Sequence, residues 1–198
     1  MSEDRSERQR ARTGASQGTQ QTSEVRLRPM RTADLDVLMP VEQQMFGPES
    51  WSRQSYLDEL ADTELRYYLV AETVAETVAE TVAETVAETA ERRLLGTAGL
   101  MTIGETAQIL TIGVLPAARR QGVGRLLVRA LIAEARRRRA DEVLLEVRED
   151  NQAAQQLYAG EGFTVIGRRR GYYEHGRVDA ITMGYPIQRS ASPAGPAS

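Results

Sequence analysis

Two side chains in the last third of the sequence could exchange protons with a substrate: Glu146 and, twelve positions later, Tyr158. A carboxylate can accept a proton from an amine, and a phenol can donate one to a leaving group. Glu146 lies in the stretch DEVLLEVREDN, whose apolar residues alternate onto one face of a predicted strand. By itself, a glutamate in a strand more commonly faces solvent, and a tyrosine in a helix more commonly packs near the helix end. The pair therefore points to catalysis only if other residues place a ligand beside it.

A turn with two glycines, RRQGVGR at 119–125, has the composition of an anion site. It connects a predicted strand to a long amphipathic helix, and glycines allow close approach and positive φ. The free N–H groups and the dipole at the start of that helix favour an anion such as a pyrophosphate. The spacing matches neither the three-glycine dinucleotide fingerprint nor a P-loop. Alone, the turn is a weak signal, because many helices begin after glycines.

Composition excludes several other chemistries. The chain has 198 residues, 41% of them hydrophobic, with no cysteine and one histidine. Disulfides, thiolate metal sites, a cysteine nucleophile and a multi-histidine metal site are therefore excluded. The formal charge of -3 is too near balance to indicate a nucleic-acid partner. With no apolar run of membrane-spanning length and no signal-peptide core, a cytoplasmic protein is expected.

The elements that must position these residues alternate between strand and helix patterns, which predicts an α/β domain. Pro40 is expected to kink or split the first helix, for which Thr32 is the candidate N-cap. The pair Gly104-Glu105 is expected to join two strands as a hairpin. The predicted strands are 24–30, 66–72, 92–103, 107–114, the middle of 141–151, 163–170 and 179–186; the predicted helices are 32–46, 52–62, 122–139 and 151–162. The buried side of the long helix is predicted to carry Leu126, Leu127, Ala130, Leu131 and Ala135.

A strict four-residue repeat, AETV, runs through residues 71–90 between two predicted strands. We predict a solvent-exposed insertion that is partly helical; either a neutral low-complexity expansion or a functional acidic arm fits the pattern. Polar, low-complexity composition predicts a disordered leader over 1–23 and a disordered tail over 188–198. The folded domain is then expected to span 24–187.

Taken together, the motifs resemble the GNAT acetyltransferase superfamily, and within it the RimI group of ribosomal-protein-alanine N-acetyltransferases. The strand, the R-x-x-G-x-G turn and the long helix resemble the family's acetyl-CoA site. The segments LLEVREDNQAAQQLYAGEGF and GRRRGYYEHGRVDAITMGYP resemble the RimI group. The resemblance covers residues 24–187 apart from the repeat, and it implies a mixed, mostly antiparallel sheet flanked by helices.

The resemblance implies a role for individual residues. Glu146 becomes the general base and Tyr158 the general acid of a direct acetyl transfer from acetyl-CoA, with no metal. Trp51, Tyr172 and Tyr173 become walls of the acceptor site, although Trp51 could equally be core and the tyrosine pair could equally be hairpin packing. The residues implied to contact acetyl-CoA are Ile112, Gly113, Val114, Arg119, Arg120, Gln121, Gly122, Val123, Gly124, Arg125 and Asn151.

The expected activity is acetylation of a protein's N-terminal α-amine, with the N-terminal alanine of a small-subunit ribosomal protein as acceptor. A protein N-terminus is thus the expected partner, with no membrane and no direct nucleic-acid contact. Two alternatives stay open: a GNAT enzyme that acetylates a small-molecule amine or a lysine, and a non-catalytic acyl-CoA-binding module. The module would dock on RNA or protein through arginine clusters such as Arg136–Arg139, a run that equally suits a solvated helix end. Departures from the family pattern, namely the repeat, Gly171 before the tyrosine pair and a short turn after it, concern the acceptor.

Overall fold

Seven strands form one mixed sheet in the computed structural model, which describes residues 24–74 and 92–188. The strand order is β1-β2-β3-β4-β5-β7-β6, and every neighbouring pair is antiparallel except β4 and β5. The predicted mixed, mostly antiparallel sheet is confirmed. The strands are β1 (Val25–Pro29), β2 (Arg66–Val74), β3 (Arg92–Ile103), β4 (Thr106–Val114), β5 (Glu142–Arg148), β6 (Thr164–Tyr173) and β7 (Val178–Pro186).

Helices cover both faces of the sheet. The alternation of β2 sends Leu69 and Ala71 to one face and Tyr68 and Val70 to the other. On the first face, α3 and α4 pack into the larger core cluster; on the second, α1 and α2 enclose a smaller one. The helices are α1 (Leu35–Phe46), α2 (Arg53–Ala61), α3 (Val123–Arg137) and α4 (Gln152–Gly160).

The first unit of the AETV repeat is part of β2, which corrects the predicted start of the insertion. Ala71 and Glu72 are buried, and Glu72 accepts a hydrogen bond from Arg28 of β1 at 2.9 Å. Residues 71–73 pair with both β1 and β3, and residue 74 pairs with β3, so the strand continues through them. Residues 75–90 of the predicted insertion, the predicted leader and all of the predicted tail after residue 188 lie outside the described residues.

Three local predictions about the helices were wrong. The helix α1 begins at Leu35, after a 3-10 turn, and its N-cap is Asp34 rather than Thr32. It continues past Pro40, so the predicted split is wrong, while a kink at Pro40 stays a prediction. In α3, Leu126 is 40% exposed, and Val128 is buried instead.

The arginine run at the end of α3 is largely used within the molecule. Arg137 and Arg138 both bind the buried carboxylate of Glu134, and Arg138 also donates to the backbone carbonyls of Glu64 and Arg66. Arg136 donates to the hydroxyl of Tyr185 at 2.6 Å. These contacts fasten the end of α3 to neighbouring segments, which is the role expected of a helix end. That the protein makes no direct nucleic-acid contact stays a prediction.

No helix in residues 24–74 and 92–188 has the length and apolar character needed to cross a membrane. In the same residues, no group of three or more acidic or histidine side chains has an arrangement suited to a metal ion.

Candidate active site

The sheet opens between β4 and β5. The two strands pair in parallel only from Thr106 with Glu142 to Ile109 with Leu145. Beyond this point β4 stays paired with β3 and β5 with β7, but not with each other. An extra residue in β4, Leu110, shifts the register against β3 at the same place. Glu146 is the first residue of β5 past the last pair, so the strand presents it at the opening.

Glu146 is held by side chains from two other strands. Gln108 of β4 donates from Nε2 to Glu146 Oε2 at 2.8 Å, and Arg169 of β6 donates from Nη1 to Oε1 at 2.9 Å. The hydroxyl of Tyr173 donates to the backbone carbonyl of Glu146 at 3.2 Å. The side chain of Glu146 is only 14% exposed. The carboxylate is therefore fixed in orientation and carries a cationic partner.

A cavity of about 570 Å³ at this opening contains both predicted proton-transfer residues. Its walls come from the end of α1, the splayed halves of β4 and β5, the start of α4 and the end of β6. The residues that line the cavity include Phe46, Glu49, Trp51, Gln108, Ile112, Glu146, Asn151, Tyr158, Tyr172 and Tyr173.

Tyr158 reaches the cavity from α4 and is otherwise buried. Its ring packs against that of Phe163, with centroids 5.9 Å apart. Burial raises the pKa of Tyr158 well above its usual value, and the neighbouring Tyr173 raises it further. The phenol is therefore protonated at neutral pH, which is the state needed to donate a proton.

The three predicted wall residues all line the cavity, and each also packs internally. The backbone N–H of Trp51 donates to the buried carboxylate of Glu42 at 2.9 Å, and its ring lies 5.3 Å from that of Tyr56. Trp51 is thus both a cavity wall and part of the smaller core. Tyr172 and Tyr173 meet edge to face at 4.9 Å, and burial raises the pKa of Tyr173 to about 12.

The glycine turn has the backbone geometry expected for an anion site. Gly122 is the N-cap of α3 with φ 84°, a side-chain cap is absent there, and a Cβ at this position would meet open space. Arg120 also has positive φ, at 61°. Two side chains are used to brace the turn: Arg119 donates to the carbonyl of Val114 at 3.2 Å and Gln121 to that of Ala117 at 2.8 Å. Main-chain N–H groups at the start of α3 are therefore available as donors, beside the exposed side chain of Arg120.

Three other residues of the turn have structural contacts. Val123 is buried in the larger core, and Gly124 lets α4 approach, since a Cβ there would lie 3.1 Å from the side chain of Leu157. The guanidinium of Arg125 pairs with Glu161 at 2.9 Å. Val123, Gly124 and Arg125 therefore hold the turn against the rest of the molecule.

The remaining predicted residues lie on either side of the opening. Asn151 caps α4 by accepting from the N–H of Ala154 at 3.1 Å, which leaves its amide NH₂ as the group suited to a ligand. Ile112 lines the cavity, and Val114 ends β4. Packing explains why position 113 is a glycine, because a Cβ there would lie 2.3 Å from the ring of Phe46.

Sequence reasoning missed Gln108, Arg169 and Phe46. Gln108 is polar within an apolar strand, and Arg169 belongs to a run of three arginines, so a signal existed for both. Neither signal predicts the contact with Glu146, since both contacts depend on which strands are neighbours in the sheet.

Comparison with known proteins identifies the family of this chain. The family model described as Acetyltransferase (GNAT) family matches residues 42–163. This chain belongs to the GNAT family. N-alpha-acetyltransferase RimI of Mycobacterium tuberculosis is 34% identical over 170 residues, which is 83% of this chain and 94% of the relative. The chain is therefore a RimI-like N-acetyltransferase, as the motifs predicted.

Solved GNAT structures share the fold. The crystal structure of the ribosomal-protein-S18-alanine N-acetyltransferase from Escherichia coli has a TM-score of 0.67 at 26% identity, and covers 87% of this chain and 99% of that one. Arabidopsis thaliana NAA60 in complex with acetyl-CoA has a TM-score of 0.66 at 18% identity, and covers 83% of this chain and 99% of that one. The second likeness concerns the fold alone.

Proposed function

We propose that this enzyme transfers the acetyl group of acetyl-CoA to the N-terminal α-amine of a protein. The observation that carries the proposal is the meeting of Glu146 and Tyr158 in one cavity, at the point where β4 and β5 separate. A carboxylate and a protonated phenol on the same cavity suit a reaction that removes a proton from an amine and supplies one to a thiolate. The N-terminal alanine of a small-subunit ribosomal protein is the first acceptor to test, because the Escherichia coli relative is named for that reaction.

Backbone groups position the acetyl donor, acetyl-CoA. Past Ile109, β4 has no neighbour on the side of β5, so the strand residues from 110 to 114 can offer backbone groups to the pantetheine arm and the acetyl carbonyl. The N–H groups at the start of α3 would hold the pyrophosphate, with the positive φ of Arg120 and Gly122 shaping the turn. The free amide NH₂ of Asn151 would contact the donor near the thioester.

The proton transfers follow from the same placement. A peptide α-amine has a pKa of roughly 7.7–8.0, so much of it is protonated at neutral pH and needs a base. Glu146 takes one proton from the ammonium and passes it to solvent, the neutral amine nitrogen bonds to the thioester carbon, and the backbone N–H of Val114 stabilises the negative oxygen that forms. The carbon–sulfur bond then breaks, Tyr158 donates its proton to the departing thiolate, and Tyr158 is reprotonated by the second proton that the nitrogen loses as the amide forms. Each proton transfer typically contributes ~10²–10⁴-fold in rate.

The test is acetylation of short peptides followed by mass spectrometry. The peptides differ only in their first residue, and an N-terminally blocked peptide with a lysine is included. We expect α-amine acetylation, strongest for alanine, and a fall of about 10²-fold or more in kcat for Glu146→Gln. Glu142→Gln is the matched control, because Glu142 lies on the same strand outside the cavity and should retain activity.

Two outcomes would contradict the proposal. Acetylation of the blocked lysine peptide alone would identify a lysine side chain as the acceptor. Binding of acetyl-CoA with no transfer to any peptide would favour a small-molecule acceptor or a non-catalytic acyl-CoA-binding module.

A further inference from the structure

The proposed base already has a cation at one of its oxygens. Arg169 Nη1 lies 2.9 Å from Glu146 Oε1, and Gln108 occupies Oε2. An acceptor that arrives as an ammonium would add a second positive charge within hydrogen-bond reach of a single carboxylate. Two cations at that distance repel each other in a partly desolvated site. The guanidinium and the acceptor ammonium therefore compete for Glu146.

The two donors to Glu146 differ in freedom. Gln108 lies on β4, inside the sheet, and is partly buried. Arg169 lies on β6, at the edge of the sheet, and its side chain is 55% exposed. Gln108 can thus keep the carboxylate oriented while Arg169 moves away from it.

A second contact is available to Arg169 at the cavity wall. Its guanidinium lies 4.4 Å from the centre of the Tyr172 ring, and Tyr172 is 46% exposed. A cation over an aromatic face is attracted by the ring, so the guanidinium can lose its contact with Glu146 and still be held. The pair consisting of Arg169 and Tyr172 is thereby suited to an exchange of cations at Glu146.

We propose that Arg169 occupies the position of the acceptor ammonium and is displaced by it, so that Arg169 sets the affinity for the acceptor. This inference rests on the proposed function, since it takes Glu146 as the group that receives the amine. It assigns to Arg169 a role in specificity: a cationic amine can replace the guanidinium, whereas an acetylated, neutral product cannot. Product release is favoured for the same reason, because Arg169 returns to Glu146 once the positive charge is gone.

The variant Arg169→Gln removes the competing charge. We expect the KM for an alanine-initiated peptide to fall about two- to fivefold, the range that an exposed ion pair is worth, while the KM for acetyl-CoA stays unchanged. Arg169→Lys keeps the charge and should stay close to the wild-type KM. Arg170→Gln is the matched control, since it removes one arginine from the next position of the same exposed strand.

Binding is measured separately from turnover through the fluorescence of Trp51. This residue is the single tryptophan of the chain, and it lines the cavity. The probes are the alanine-initiated peptide and its N-acetylated form, titrated into wild type and the three variants. Tighter binding of the free-amine peptide to Arg169→Gln, with no such gain for the acetylated peptide, is expected. The gain should diminish in high salt, because a competing charge is screened.

The outcomes separate this inference from the proposed function. Selective tightening without any acetyl transfer would support the cation exchange and contradict the proposed reaction. Transfer with an unchanged or raised peptide KM in Arg169→Gln would overturn the cation exchange and leave the reaction standing. Equal tightening in Arg170→Gln would also overturn it, because the effect would then belong to the overall charge of the strand. No binding of either peptide and no transfer would overturn both.

Discussion

At the scale of single residues, Tyr158 is the side chain whose chemistry depends most on its surroundings. Burial keeps its phenol protonated, and its ring packs on Phe163 independently of the hydroxyl. Removal of the hydroxyl alone should therefore affect the reaction and not the fold.

We expect Tyr158→Phe to lower kcat by about 10²-fold, with little change in the KM for acetyl-CoA, because only the proton donor is lost. Steady-state kinetics at saturating donor give both constants. Tyr185→Phe is the control, since Tyr185 also packs on Phe163 but its hydroxyl accepts a hydrogen bond from Arg136. A kcat for Tyr158→Phe within twofold of wild type would show that another group protonates the thiolate.

The candidate proton-transfer residues come from one continuous segment, whereas the residues that contact Glu146 come from other strands. The resemblance of residues 144–163 to the RimI group implies the roles of Glu146 and Tyr158, and those roles stay predictions. Gln108 reaches Glu146 because it pairs with Leu144, the residue on the same face one step before Glu146. Arg169 reaches it through two strand pairings, first with β7 and then with β5. A single sequence, read by itself, gives no information on those registers.

At the scale of elements, the contact between α1 and β4 sets the shape of the cavity. Phe46, the last residue of α1, rests against the bare backbone of Gly113. An added methyl group would overlap the ring at 2.3 Å, so the ring, the helix end or the strand would have to move. Phe46 and β4 both line the cavity, which couples this packing to substrate binding.

We expect Gly113→Ala to lower the free energy of unfolding by about 1–3 kcal/mol, the usual cost of overpacking, and to weaken acetyl-CoA binding. Urea denaturation and calorimetry measure the two effects. Adding Phe46→Leu should recover part of both losses, because the smaller side chain makes room. Gly167→Ala is the control, since its Cβ would lie 3.8 Å from Thr182, an ordinary contact. Equal losses in both glycine variants would contradict this account.

Alternation and helical periodicity predicted most element positions, because burial of one face is recorded in the sequence. These patterns gave wrong predictions where tertiary packing overrode a local sequence rule. Leu126 and Val128 of α3 have similar hydrophobicity, and the position of the sheet decides which one is buried. The guanidinium of Arg28 binds the carboxylate of Asp34, the N-cap residue of α1, and sequence spacing does not reveal this contact with β1.

At the scale of the whole molecule, a charged cluster joins β1, β2 and the start of α1. Arg28 binds Asp34 through two hydrogen bonds of 2.7 Å and Glu72 through one of 2.9 Å. The hydrogen bond from Arg28 holds the pKa of Asp34 below its usual range. Because the folded pKa is the lower one, the stabilisation is complete above the unfolded pKa of about 3.9 and is lost as the pH falls below it.

We expect Asp34→Asn to destabilise the protein by about 1–3 kcal/mol at pH 7, since a charge-assisted hydrogen bond is lost. The difference from wild type should shrink below about pH 4, where the Asp34 carboxylate of the unfolded wild-type chain becomes protonated, and should be lost once the pH falls below the lowered folded pKa. Urea midpoints measured across this pH series give the comparison. Asp36→Asn, which removes an exposed carboxylate paired with Arg53, should change stability by about 0.5 kcal/mol or less throughout. A gap that does not vary with pH would assign the loss to packing.

The separation of β4 from β5 also affects the cohesion of the sheet. Strands β1 to β4 form one half and strands β5 to β7 the other, and the backbone bonds between the halves lie between residues 105–109 and 141–145. The helix α3 packs on strands from both sides of this division. A substrate bound in the opening would touch both halves at once. Binding there would therefore add a cross-link to the sheet at its least connected place, in addition to bringing the reactants together.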